Sequence, residues 1–181
     1  MRKVMVYGFL TILLSLMLSI STWAGWDPAR KQKEKALVQE TVTSFKKADS
    51  TMQLFFDKAY GYVVFPSVGK GGFIVGGAHG DGWVYEKGTF IGRASIVQVT
   101  VGAQVGGQSF REIIFFKNKA ALDDFKQGNF ELNAQVSAVA AKEGASKDAS
   151  YDSGVAVFTM PRKGLMAEAT VGGQQFKFTP K

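Results

Sequence analysis

Residues 59–82, AYGYVVFPSVGKGGFIVGGAHGDG, limit what this chain can fold into more than any other stretch. Its β-branched and aromatic residues favour extended backbone, and its glycines recur too densely for a stable helix. Short strands with tight glycine turns are therefore expected, one over residues 62–65 that stops at Pro66 and a second over 71–78. The chain is long enough, at 181 residues, for one domain with a sizeable core. Its 21 glycines and 15 phenylalanines extend the β-rich character beyond this stretch.

Downstream, residues 83–85 and 90–94 read as strands around a Glu86-Lys87-Gly88 hairpin loop. Val97, Val99, Val101, Ala103 and Val105 alternate with Gln98, Thr100, Gly102, Gln104 and Gly106, the clearest period of two in the chain. Residues 111–116 add a strand. Asn118 then caps a brief helix whose Ala121, Leu122 and Phe125 point inward before Gly128 closes it. Alternation returns over 130–138, a polar loop follows over 142–153, and strands at 154–160 and 165–171 flank a Pro161-Arg162-Lys163-Gly164 hairpin tip. Residues 176–178 end the fold. The expected class is α+β: a strongly twisted antiparallel β-sheet or partly closed barrel of about ten strands, with three or four packed helices.

The N-terminal part has a different character. Residues 1–24 combine a charged start at Arg2 and Lys3, an apolar run and the small-residue site Thr22-Trp23-Ala24, which predicts a signal peptide cleaved after Ala24 and a single domain over 25–181. With no cysteine in the chain, disulfides and a lipid-modified cysteine at the cleavage point are both excluded. The expected location is exported: periplasmic, envelope-associated or extracellular. Asp27-Pro28 opens a helix that runs to Ala48, with Val38, Val42 and Phe45 on one stripe and Arg30, Lys31, Lys33 and Lys35 crowding its first turns. Ser50 and Gln53 suggest a capping box for a second helix ending at Lys58, which turns Met52, Phe55 and Phe56 to the core.

The residue inventory restricts the chemistry. One histidine and no cysteine remove zinc sites of the common kinds, haem attachment and thiol catalysis. No nucleophile elbow, phosphate-loop spacing or calcium-loop alternation is present, so neither catalysis nor a cofactor is expected. His79, two residues from Asp81, is either plain surface or a ligand contact. Removal of Arg2 and Lys3 leaves 20 basic residues against 15 acidic, a net charge of +5. That excess suits an anionic surface, whereas nucleic acid would call for clustered arginines interleaved with aromatic residues. Lys70 among glycines, the Arg162-Lys163 tip and the basic helix start are candidate headgroup contacts, each with the plainer reading of a solvated charge.

Taken together, AYGYVVFPSVGKGGFIVGG, GDGWVY, VGAQVGGQSFREIIFF, NKAALDDFKQGNFELNAQVSAVA and MPRKGLMAEATVGG resemble the SYLF domain family, segment by segment and in order, over residues 37–178. The resemblance implies a lipid-binding module without catalysis, related to eukaryotic adaptors that bind acidic lipids and to exported bacterial proteins. It implies a lipid-binding role for the helix Pro28–Ala48 and for Lys31, Lys35, Lys70, Arg162 and Lys163. The family's Lys-Gly-Leu-Phe appears as Lys163-Gly164-Leu165-Met166. A preceding signal sequence would direct the module to envelope lipids in place of phosphoinositides. The partner expected is thus anionic phospholipid at a membrane surface, or alternatively a protein bound through sheet edges or an apolar groove.

Overall fold

The structure, a computed structural model, describes residues 28–128, 131–132 and 138–181, with side chains at 102, 104, 131–132 and 164–172 left aside. The expected signal peptide, the Asp27 cap and most of the alternation over 130–138 lie outside these residues. The chain separates into two compact units, Met1–Lys35 and Ala36–Lys181. Helix α1, Pro28–Ala48, begins in the first and ends in the second.

A short 3-10 turn, Ser50–Met52, leads into α2, Gln53–Lys58. Strands β1, Gly61–Gly72, β2, Val75–Glu86, and β3, Thr89–Phe116, come next. They are followed by α3, Lys119–Lys126, by β4, Glu131–Leu132, and by β5, Val139–Ala140. Another 3-10 turn, Ala145–Lys147, precedes β6, Val155–Pro180. All six described strands join one sheet, antiparallel except where β5 runs parallel to β6.

The α+β class and mostly antiparallel sheet are as expected, but about ten strands become six among the described residues. Three segments read separately at 90–94, 97–105 and 111–116 are one strand, β3: Ser95 and Ile96 pair within the ladder, and Gly106 and Gly107 thin the side chains without interrupting it. Likewise β6 runs through the expected tip at residues 161–164. Pro161, which lacks an N–H, sits opposite Phe110 where the register shifts, and Arg162 is the extra residue of a β-bulge. Pro66 does not stop β1 either; it lies in a second bulge between Phe65 and Val68, flanking the same part of β3.

The hairpin between β1 and β2 also differs from expectation. Gly71 pairs with Gly77 and Gly72 with Gly76, so Phe73 and Ile74 form its tip and do not belong to a strand. In contrast, the loop at Glu86-Lys87-Gly88 is where it was expected, with Lys87 at φ 47° and Gly88 at φ 76°. β1 pairs with β2 along one edge and with the second half of β3 along the other, while β2 pairs with the first half of β3. Three strands paired in a cycle cannot lie flat, so the sheet curls.

At one end of the sheet both faces are buried, and the segments YVVF, IIFF and VAVF at 62–65, 113–116 and 155–158 are accordingly apolar without interruption. Val63, Phe65, Ile114, Phe116 and Val157 face inward with Leu122 and Phe125 of α3. Val64, Ile113, Phe115 and Phe158 face outward against Val38 and Phe45 of α1 and Met52. Each large side chain so buried contributes about 1.5–3 kcal/mol. Phe55 and Phe56 pack tilted and edge-on against Phe115 at centroid distances of 5.4 and 4.9 Å, which turns them, half-buried, toward the core as expected. Thr41 of α1 is also buried, its hydroxyl satisfied by donating to the Leu37 carbonyl at 2.8 Å.

Candidate membrane-facing surface

Beyond the helices, the described outer face of the sheet carries an exposed apolar patch. Phe73, Ile74 and Val75 at the β1–β2 tip are 69%, 62% and 62% exposed, and Val97, Val99, Val101 and Val105 on β3 are at least half exposed. Register places Val75 opposite Val101 and Gly77 opposite Val99, so tip and valine row form one surface. The alternate residues of β3 point the other way: Ile96 and Thr100 are buried, and Gln98 and Gln108 face the interior. Polarity is thus inverted at this end of the sheet, with apolar side chains outside and amides inside. A face of this kind fits an apolar surrounding better than water.

The predicted basic residues take up different positions. Lys163 stands opposite Ser109, which in turn faces Gly69, while Gly72 at the tip pairs with Gly106. Three residues of β3 separate these levels, about 10 Å at the usual rise per strand residue. Arg162, on its bulge, donates from Nη1 to the Pro66 carbonyl at 3.3 Å, and both cations remain exposed. Arg162 and Lys163 therefore lie near the margin of the apolar face.

Lys70 lies within β1, two residues from its end, and not in a turn. The glycines around it are paired with β2 and β3, so their amides serve the ladder and do not form an anion cradle. Its side chain lines a pocket inside the curl. Lys31 and Lys35 are exposed on the first turns of α1, within the unit Met1–Lys35, where Arg30 and Glu34 approach to 3.7 Å. His79 is exposed on the outer face opposite Val97, and its Nε2 lies 4.0 Å from the equally exposed Asp81 carboxylate. The structure therefore brings together Arg162 and Lys163, puts His79 on the outer face and turns Lys70 into the curl.

The reading from sequence missed the apolar face itself. The valine alternation was visible, but period two does not say which set of side chains faces in. The signal available was the chemistry of the other set, glutamine, threonine and glycine, beside a hairpin tip written Phe-Ile-Val.

Comparison with known proteins adds two relationships. Residues 97–180 match the Ysc84 family model, described as Las17-binding protein actin regulator. This is the Ysc84/SYLF domain family, the family that the sequence segments resemble, and the match covers less than half of the chain. The chain is also 32% identical over 127 residues to Beta cell expansion factor A of Aeromonas veronii, an alignment covering 68% of this chain and 48% of the relative. The chain spans about half the length of that curated relative. Among the described residues no three His, Cys, Asp or Glu side chains group to hold a metal, and no helix is long and apolar enough to cross a membrane.

Proposed function

We propose that this chain is a non-catalytic module that docks on a membrane surface bearing anionic phospholipid headgroups. The observation that carries this reading is the apolar outer face from Phe73 to Val105 with Arg162 and Lys163 at its margin. Withdrawing each of those half-exposed side chains from water contributes about 1 kcal/mol, and each cation near an anionic surface about as much again. The glutamines and threonine beneath the valines favour lipid over a protein partner, since hydrocarbon is the surrounding in which apolar-out, polar-in is the stable arrangement.

Lys31 and Lys35 on α1 supply a second basic element and His79 on the outer face a weaker contact, whereas Lys70 lines the pocket inside the curl. Export, read from the N-terminal segment, makes envelope phospholipid the anionic ligand. Co-sedimentation with vesicles tests the reading: binding is expected to phosphatidylglycerol-containing vesicles at low salt, to weaken as salt rises, and to fall in Arg162→Glu/Lys163→Glu and in Lys31→Glu/Lys35→Glu. Equal binding to neutral vesicles at high salt, or capture of one protein partner with no lipid selectivity, overturns it.

A further inference from the structure

Inside the curl, at the level where the core changes from apolar to polar, lies an open pocket of about 300 Å³. Lys70 of β1, Gln98, Gln108 and Glu112 of β3, and Thr159 and Gln174 of β6 line it. Glu112 is 1% exposed, and its Oε1 has no hydrogen-bond partner. The other oxygen, Oε2, accepts one long bond, 3.4 Å, from Gln174 Nε2. Buried carboxylates are normally satisfied, because an unmade bond in a desolvated site carries the full cost of stripping off water. Here most of the acceptor capacity of Glu112 is unused.

The group that completes such a site must donate. A primary ammonium offers three N–H donors and a positive charge, enough for both Glu112 oxygens and a glutamine carbonyl. A divalent metal is a poorer match, since Glu112 is the one carboxylate among the described residues of the lining and hard cations gather several charged oxygens. At the other end of the lining Lys70 supplies a cation, and the glutamine amides both donate and accept, which suits a ligand whose far end is anionic or hydroxylated.

We infer that this pocket binds a compact polar molecule through a primary ammonium seated on Glu112, with an oxygen-rich far end toward Lys70. The inference stands apart from the membrane reading, which rests on the outer face and on headgroup charge. One ligand chemistry has two sources, a free amino alcohol phosphate or the headgroup of an aminophospholipid.

Titration calorimetry of the whole protein with ethanolamine, phosphoethanolamine and choline provides the test. Both primary amines bind, and choline, which has no N–H to donate, binds about tenfold more weakly or not at all. Glu112→Gln weakens the amines by about tenfold or more while leaving the thermal midpoint no lower, because it removes a charge the fold does not pair. Affinity rises with pH from about 5 to 8, since burial, opposed by the Gln174 bond, pushes the Glu112 carboxyl up to about 7 and a proton competes with the ammonium below that value. Among the described residues Lys70 on β1 is the other charged side chain on the lining; β6 contributes the uncharged Thr159 and Gln174.

Vesicles of phosphatidylethanolamine and of phosphatidylcholine at high salt separate the sources. A preference for the former assigns the headgroup, and none, with the free amines bound, assigns a soluble ligand. No heat from either amine, equal binding of choline, or unchanged affinity in Glu112→Gln overturns the proposal. The choline and pH comparisons use the unaltered chain and hold whatever the variant does.

Discussion

At the scale of single residues, two positions show how tightly this fold is specified. A Cβ on Gly82 would stand 2.7 Å from the Phe65 ring and 2.8 Å from the Val64 carbonyl, so β2 can lie this close to β1 only with glycine. Gly82→Ala is expected to lower stability by about 1–3 kcal/mol, read from urea unfolding, since it overpacks a buried strand crossing. Asp49 is the other. It is fully buried, and its Oδ1 accepts from the Thr51 amide at 3.0 Å and the Thr51 hydroxyl at 2.6 Å, while Oδ2 accepts from the Ser146 amide at 2.7 Å. It clamps the end of α1 to a loop far away in sequence. Asp49→Ala leaves those donors without partners, and a loss on the order of 3 kcal/mol is expected in the same measurement. Ser50, which the sequence suggested as the cap, instead donates to Glu143 at 2.9 Å.

At the scale of elements, the β1–β2 tip separates stability from function. Because Phe73 and Ile74 are exposed in the folded state, Phe73→Ser/Ile74→Ser is expected to leave the thermal midpoint nearly unchanged and to reduce vesicle co-sedimentation several-fold. A drop in midpoint with vesicle binding unaltered would count against the membrane-facing role. The tip also illustrates which elements could be read in advance. Helices signalled by local chemistry were legible: Pro28–Ala48 has its expected bounds, and Asn118 does cap α3, accepting from the Ala121 amide at 3.0 Å. Strand lengths were not, since Gly106-Gly107 and Pro161 resemble breaks in sequence and are continuous ladder in space. Gly71-Gly72 and Gly76-Gly77 pair with one another, which is information about two segments and not about either alone. The basic residues were nameable as candidates, but the side of the sheet each occupies depends on curl and bulges, long-range features that no local pattern carries.

At the scale of the whole molecule, two buried carboxyls oppose one another in how stability depends on pH. Burial pushes Asp49 up, but bonds from the Thr51 hydroxyl and from the Ser146 amide and hydroxyl outweigh it and hold the group at about 2, below its ordinary 3.8. The unfolded chain then takes up the proton first, so the contribution of Asp49 is complete above about pH 4 and is lost as pH falls toward 2. Glu112 works in the other direction. Burial raises it from 4.5 to about 7, so the folded state keeps its proton longer than the unfolded chain does. Stability therefore declines as pH rises from about 4.5 to about 7 and levels off above that. From these two groups a maximum between about pH 4 and 5 is expected in thermal unfolding across pH. Glu112→Gln should flatten the upper limb, gaining stability over the parent chain at pH 8 but not at pH 4, and Asp49→Asn should flatten the lower limb. A parent profile with no decline between pH 4.5 and 7 would mean that Glu112 is ionised and compensated in the folded chain. Bound ammonium has the same effect, so repeating the pH series with saturating phosphoethanolamine should restore stability above pH 7 in the parent and leave Glu112→Gln unmoved.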